Sequence, residues 1–328
     1  MAQLSRRGAL AGIGALGAAS TLRPRRARAA DPVTVWWNQG FYGAEDQAVI
    51  NAMAAWERAS GTKVNLTIMN GSDLISKLIA AMQVGDVPDL VHSAGGSFFL
   101  VPRAAWDDKL VDVSDVVETQ KHEFHQTALD SSRFYNAALK KYSYYTIPIK
   151  GFALMEEAWR PMIEEAGFSD TDIPKTQDAY YNFFETVQDR LRRKGQRVYG
   201  LGYSMATKET DSSYLFHAFL VAYGGTGIVL PNGKLNIDDP TVKQAAVTAL
   251  ERLTTPFRKG YVPPSAINWG DVDNNNAFFA KQIVMTPNTT ISIAVAQMEK
   301  ADQYYKQIIT TGIPDGNDGR PVVNLLSR

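Results

Sequence analysis

The hydrophobic period of the chain switches back and forth near its start, and that switching restricts the fold most. Val33-Thr34-Val35-Trp36-Trp37 is a short β-rich apolar run just after Pro32. From Ala44 to Ser60, Val49, Met53 and Trp56 recur at helical spacing, and Gly61 stops the helix. Val64, Leu66 and Ile68 then alternate with polar residues, as in a strand. Ser72 or Asp73 is expected to cap a second helix whose apolar face is Leu74, Ile75, Leu78, Ile79 and Met82, with Gly85 at its end. Pro88-Asp89-Leu90-Val91 begins a third strand. The order β-α-β-α-β predicts a mostly parallel sheet flanked by helices, an α/β fold. Ligands on such sheets bind outside the carboxyl ends of the strands. Those ends carry Trp37-Asn38, Met69-Asn70-Gly71 and the run from His92 to Gly96.

The pattern changes at Tyr142-Ser143-Tyr144-Tyr145-Thr146-Ile147-Pro148, an aromatic β-rich run without helical period that reads as a crossing into a second lobe. Helical segments follow at about 155–166, 176–194 and 213–223, and another opens at Asp239-Pro240. At 328 residues the chain is long enough for more than one domain.

Charge is divided unevenly. Residues 1–30 hold six arginines and no acid, which leaves 28 basic against 34 acidic residues in the remainder, a net of −6. An acidic body argues against nucleic acid or anionic lipid as partner. Cysteine is absent, which excludes disulfides, thiolate metal sites, Cys nucleophiles and a lipidated N-terminal Cys. The first 30 residues read as a signal peptide: Ser5-Arg6-Arg7, an apolar stretch from Gly8 to Leu22 too short to span a bilayer, and Ala27-Arg28-Ala29 before cleavage after Ala29 or Ala30. The paired arginines resemble a twin-arginine (Tat) signal, and the basic cluster before the cleavage site suits that route. The GxGxxG at Gly12–Gly17 lies in this segment with no strand before it, so it is not a dinucleotide site.

Taken in order, the landmarks of the remaining chain resemble the extracellular solute-binding protein family 1, the maltose-type receptors. They are the opening strand Val33–Trp37, the helix ending Trp56-Glu57-Arg58-Ala59-Ser60-Gly61, Pro88-Asp89-Leu90-Val91, Tyr145-Thr146-Ile147-Pro148, Pro174-Lys175-Thr176, Tyr199-Gly200-Leu201, Ala222-Tyr223-Gly224-Gly225, Asn236–Pro240, Gly260–Pro264 and Ala277–Met285. The resemblance implies a type II-like periplasmic binding protein fold, two α/β lobes with a ligand cleft at the hinge. It implies lobe 1 at 31–147 and 276–328 and lobe 2 at 148–275, with the C-terminal return segment of lobe 2 missing after Arg328. It departs from the family at Leu154-Met155-Glu156-Glu157, where Tyr-Asn is usual. The implied role is a monomeric periplasmic receptor of a Gram-negative cell that hands a sugar or sugar-like polyol to an ABC permease, without cofactor or metal.

A sugar offers hydroxyls and an apolar C–H face, so its cleft needs flat rings beside Asn, Asp, Glu and Lys. The residues expected there are Trp36, Trp37, Asn38, Tyr42, Ser93, Gly95, Lys150, Asp211, Tyr214, Trp269, Asp271 and Asn274. Trp36 and Trp37 are neighbours on a strand, so one of them faces the core. Trp56 and Trp159 are expected to pack, and Trp106 to be structural. The two His in His122-Glu123-Phe124-His125 are spaced i, i+3, not the i, i+4 of a zinc protease helix, and fit a surface helix. The basic run Arg190–Lys194 fits a solvated helix face. The same fold could take a polyamine, an oligopeptide or a phosphorylated polyol, or be a shortened remnant that binds nothing. A secreted glycoside hydrolase would need paired carboxylates. The pairs Glu156-Glu157 and Glu164-Glu165 sit on apparent helices, where the members of each point different ways.

Overall fold

A computed structural model describes residues 31–94, 96, 100–149, 151–207, 209–228, 230, 234–322 and 325–327. The signal segment 1–30, Gly95 and Lys150 lie outside the described residues.

The first lobe forms as the periodicity dictates: β1 (Val33–Asn38), α1 (Gly43–Ser60), β2 (Val64–Met69), α2 (Gly71–Val84) and β3 (Leu90–His92). The strands make a parallel sheet in the order β2-β1-β3, with Val35 opposite both Leu66 and Leu90. α1 ends at Gly61, whose φ of 71° suits glycine and whose N–H returns to the Glu57 carbonyl. The Glu57 carboxylate bonds the Val64 N–H at 2.7 Å and Lys63 Nζ at 3.2 Å, tying α1 to β2. Asn70, not Ser72 or Asp73, caps α2: its side-chain oxygen accepts the Asp73 N–H at 2.9 Å. Trp56 does not pack as expected, since 44% of it is exposed; α1 buries none of its residues, so this face of the lobe gives Trp56 no core to enter.

Short helices follow, α3 (Val101–Trp106), α4 (Ser114–Gln120) and α5 (Gln126–Ser131), then the hairpin of β4 (Arg133–Asn136) and β5 (Lys141–Tyr144). His122 and His125 do not share a surface helix: a 3-10 turn ends at Glu123, and the His125 side chain caps α5. Trp106 packs against Tyr135, ring centroids 5.5 Å apart. The aromatic run is only partly the crossing, because Lys141–Tyr144 is spent on the hairpin and the chain leaves the lobe after it.

The second lobe comprises β6 (Gly151–Ala153), β7 (Met155–Trp159), α6 (Arg160–Glu165), α7 (Gln177–Arg193), β8 (Tyr199–Leu201), α8 (Thr210–Ala222), α9 (Pro240–Arg258), α10 (Asp273–Phe279), β9 (Ile283–Asn288), α11 (Ser292–Ala296), α12 (Ala301–Gln307), β10 (Ile308–Gly312) and β11 (Leu325–Ser327). Its main sheet runs β10-β7-β9-β8, and β11 pairs with β6. This corrects two expectations. Residues 155–159 are a strand, not the start of a helix, and the helix begins only at Arg160, beside Pro161. β7 is covered on both faces, so its buried glutamates broke the apolar alternation that marks a strand. Residues 283–312 join the second sheet, not the first lobe: β9 lies between β7 and β8, and β10 lies beyond β7.

One continuous core fills this lobe, with Trp159, Phe184, Leu201, Phe219, Phe278, Ile283 and Met285 all buried. Trp159 stacks on Phe278 at 4.8 Å and donates its indole N–H to the Phe278 carbonyl at 2.8 Å. The basic end of α7 is not simply solvated. Arg190 lies 3.8 Å over the Phe168 ring and bonds the Ala166 carbonyl, and Arg192 bonds the carbonyls of Val198 and Gly260.

Candidate functional site

The carboxyl ends of the first sheet open on a cleft of about 670 Å³ whose other wall belongs to the second lobe. Trp37, Asn38, Gln39, Gly40 and Phe41 follow β1 into it. Asn70, Gly71 and Ser72 come from the start of α2, and His92 and Ala94 from the end of β3. Glu45 and Asp46 come from the first turn of α1. Successive strand residues point to opposite faces, so only one of the paired tryptophans reaches the cleft. That one is Trp37, stacked on His92 with centroids 4.4 Å apart. Trp36, expected as a site residue, turns to the other face, where Lys77 Nζ sits 4.1 Å above its ring. Gly71 must stay without a side chain: a Cβ there would lie 2.9 Å from Asn38 Oδ1.

The opposite wall is built by Glu209, Thr210, Asp211 and Tyr214 at the start of α8, by Gly270, Asp271 and Val272, and by Thr289 after β9. Asp271 links two of these segments. Its Oδ1 accepts the N–H groups of Thr210 at 3.0 Å and Asp211 at 3.2 Å, so a distant loop caps α8. Thr289 Oγ1 donates to Asp211 Oδ1 at 3.2 Å. Burial, then the charge of Asp271, holds the Asp211 carboxyl well above the usual range. Burial also raises Asp271, against the backbone N–H groups that favour its ionised form. Glu209 is raised by burial and by the charges of Asp271 and Asp273.

Of the residues expected at the site, the structure therefore brings Trp37, Asn38, Asp211, Tyr214 and Asp271 together around one space. Others fall elsewhere. Trp269 is buried in the second-lobe core, its indole N–H on Ser265 Oγ at 3.1 Å; its neighbours Gly270 and Asp271 reach the cleft in its place. Asn274 is also buried. Its amide bonds Thr286 Oγ1 and the Pro287 carbonyl, both at 3.2 Å, and it lines a cavity of about 10 Å³ behind Asp211 and Thr289. Tyr42 leaves the first lobe to donate its hydroxyl to the Ser292 carbonyl. The Ser93 hydroxyl accepts the Gly96 N–H at 3.0 Å, closing its own loop. The acids Glu45, Asp46 and Glu209, with His92 and Thr289, were not singled out from sequence, although Glu209 lies two residues from Asp211.

The carboxylate pairs of a hydrolase are out of reach. Glu156 and Glu157 lie on β7, 1% and 0% exposed, and neither lines the cleft. Glu164 and Glu165 are exposed at the end of α6, away from it.

The family profile described as bacterial extracellular solute-binding protein matches residues 51–325. No curated protein matches the chain. Among solved structures, an ABC transporter solute-binding protein from Thermotoga lettingae TMO bound with α-D-tagatose is similar at TM-score 0.69 and 21% identity, over 90% of this chain and 71% of that one. A sugar transporter from Arthrobacter chlorophenolicus A6 with bound laminaribiose gives 0.67 and 13%, over 90% and 70%. A solute-binding protein from Agrobacterium radiobacter K84 in complex with ribitol gives 0.64 and 16%, over 90% and 70%. At these identities the likeness is one of fold.

Proposed function

Because this chain belongs to the bacterial extracellular solute-binding protein family, we propose that it is the receptor of an ABC importer, closing two lobes on a sugar or sugar-like polyol and presenting it to the permease. One observation carries the reading. The 670 Å³ cleft sets the stacked Trp37–His92 pair against a wall of Asn, Thr and carboxylate groups. A flat ring suits the C–H face of a sugar, and convergent polar groups suit its hydroxyls. The fold neighbours that hold tagatose, laminaribiose and ribitol support it. The family is one of binding proteins, so the ligand leaves unchanged.

Function then follows from hinge closure. A ligand favours the closed form only to the extent that it binds that form more tightly, and groups contributed by both lobes provide the difference. The protein is exported. We place it in a Gram-negative periplasm as a monomer, delivered by the Tat route through Arg6-Arg7. Replacing both arginines by lysine is expected to leave the precursor unexported, and export through the general pathway would refute that route. The receptor reading is tested by titrating the tryptophan fluorescence of residues 31–328 with sugars and polyols. Trp37 is expected to report a saturable change with one sugar class, lost in Trp37→Leu. A folded sample that responds to none of them refutes the reading.

A further inference from the structure

The charged residues lining the cleft are Glu45 and Asp46 on one side and Glu209, Asp211 and Asp271 on the other. Among the described residues no Lys or Arg lines it. Composition does not account for this, since beyond residue 30 the chain has 28 bases to 34 acids. Nor do local ion pairs neutralise the wall: among the described residues, no ion pair involves Asp46, Glu209, Asp211 or Asp271. Asp46 takes the Gly40 N–H at 2.8 Å and Asp271 takes two further N–H groups, which fixes their positions and leaves their charges uncompensated by any cation. The raised carboxyls of Glu209, Asp211 and Asp271 are the consequence. Behind them, the Asn274 side-chain oxygen is buried and has no hydrogen-bond partner among the described residues, a further acceptor on the cavity that Asp211 and Thr289 share with the cleft.

A wall so rich in acceptors and negative charge selects a donor that carries positive charge. A bare metal ion is the wrong candidate. It needs several ligands on one centre, and among the described residues no three His, Asp or Glu side chains converge so. The carboxylates are spread over two walls, with the rings of Trp37 and Phe41 between them and Glu209. That spacing fits an ammonium on an organic frame, which meets carboxylates singly and rings by cation–π contact.

Resting on the receptor reading above, we infer that the preferred ligand is a hydroxylated compound bearing a protonated amine, an amino sugar or amino polyol, in preference to its neutral or anionic counterparts. Calorimetry on residues 31–328 with matched sets tests this: glucose, glucosamine and glucuronate; galactose, galactosamine and galacturonate; and spermidine as an amine without hydroxyls. In the set that binds, the amino form is expected to be about ten-fold tighter than the neutral sugar, the size of one charge-assisted hydrogen bond, and the uronate weaker than both. Raising the salt should weaken the amino form alone. Glu209→Gln should narrow the ratio of amino to neutral affinity. A neutral sugar that binds as tightly as its amino form overturns this inference and leaves the receptor reading intact. Tightest binding of spermidine, or no binding by any compound, overturns both.

Discussion

Replacing Glu156 or Glu157 by glutamine should stabilise the protein above about pH 5, by an amount that grows with pH. Both carboxyls sit on β7 in the second-lobe core. Tyr181 donates its hydroxyl to Glu156 Oε1 at 2.8 Å, while Glu156 Oε2 and both oxygens of Glu157 have no partner among the described residues. Burial pushes each carboxyl from 4.5 up to about 8, and for Glu157 the neighbouring Glu156 adds to it. The folded state therefore holds protons that the unfolded chain has released. Between pH 4.5 and 8 the unfolded state binds fewer protons, so stability falls as pH rises, by about 1.4 kcal/mol per pH unit for each carboxyl acting alone. At pH 7 one such carboxyl costs roughly 3 kcal/mol against a side chain that never ionises, a large part of a typical folding free energy of about 5–15 kcal/mol. Glutamine keeps the shape, and at Glu156 it keeps an acceptor for Tyr181. Urea unfolding of residues 31–328 at pH 5, 7 and 9 measures the effect. Stability of the parent should drop steadily over this range, and Glu156→Gln and Glu157→Gln should flatten the slope. A parent whose stability is flat or rises from pH 5 to 8, or variants weakened equally at every pH, would refute the reasoning.

Three further substitutions follow from the geometry. Asp271→Ala removes the acceptor for two N–H groups at the start of α8 and should cost about 1–2 kcal/mol in a urea melt; Asp271→Asn, which keeps an acceptor, should cost less. Tyr42→Phe removes the hydroxyl that bridges to Ser292 in the second lobe. It should weaken ligand affinity by about five-fold, as expected for one hydrogen bond of about 1 kcal/mol made only in the closed form, and should expand the ligand-free protein in small-angle scattering. Trp159→Ala empties the stack on Phe278 and the bond to its carbonyl, and should lower stability by about 3–5 kcal/mol in the same melt.

What could be read along the chain follows from where the information lies. The first lobe was legible because each of its elements announces itself locally. Helical spacing ends at Gly61 and Gly85, alternation marks Val64–Ile68, and a parallel sheet of that order must gather its carboxyl ends at one edge. Trp37, Asn38 and the start of α2 line the cleft for that reason. The start of α8 was legible as a polar turn leading into an apolar helix.

The sequence by itself thus determined the alternating elements, the family and one wall of the cleft, because period, turn chemistry and ordered landmarks act over short stretches of chain. Tertiary structure alone decided that 283–312 completes the second sheet, that Glu156 and Glu157 lie on a buried strand, that Trp36 and Trp269 turn away, and that five carboxylates face one space. Strand neighbours in that sheet are separated by more than a hundred residues, and a strand covered on both faces carries no alternation to betray its register. Which face a side chain takes, and which charges then stand opposite one another, depends on contacts that exist only once the chain has closed on itself.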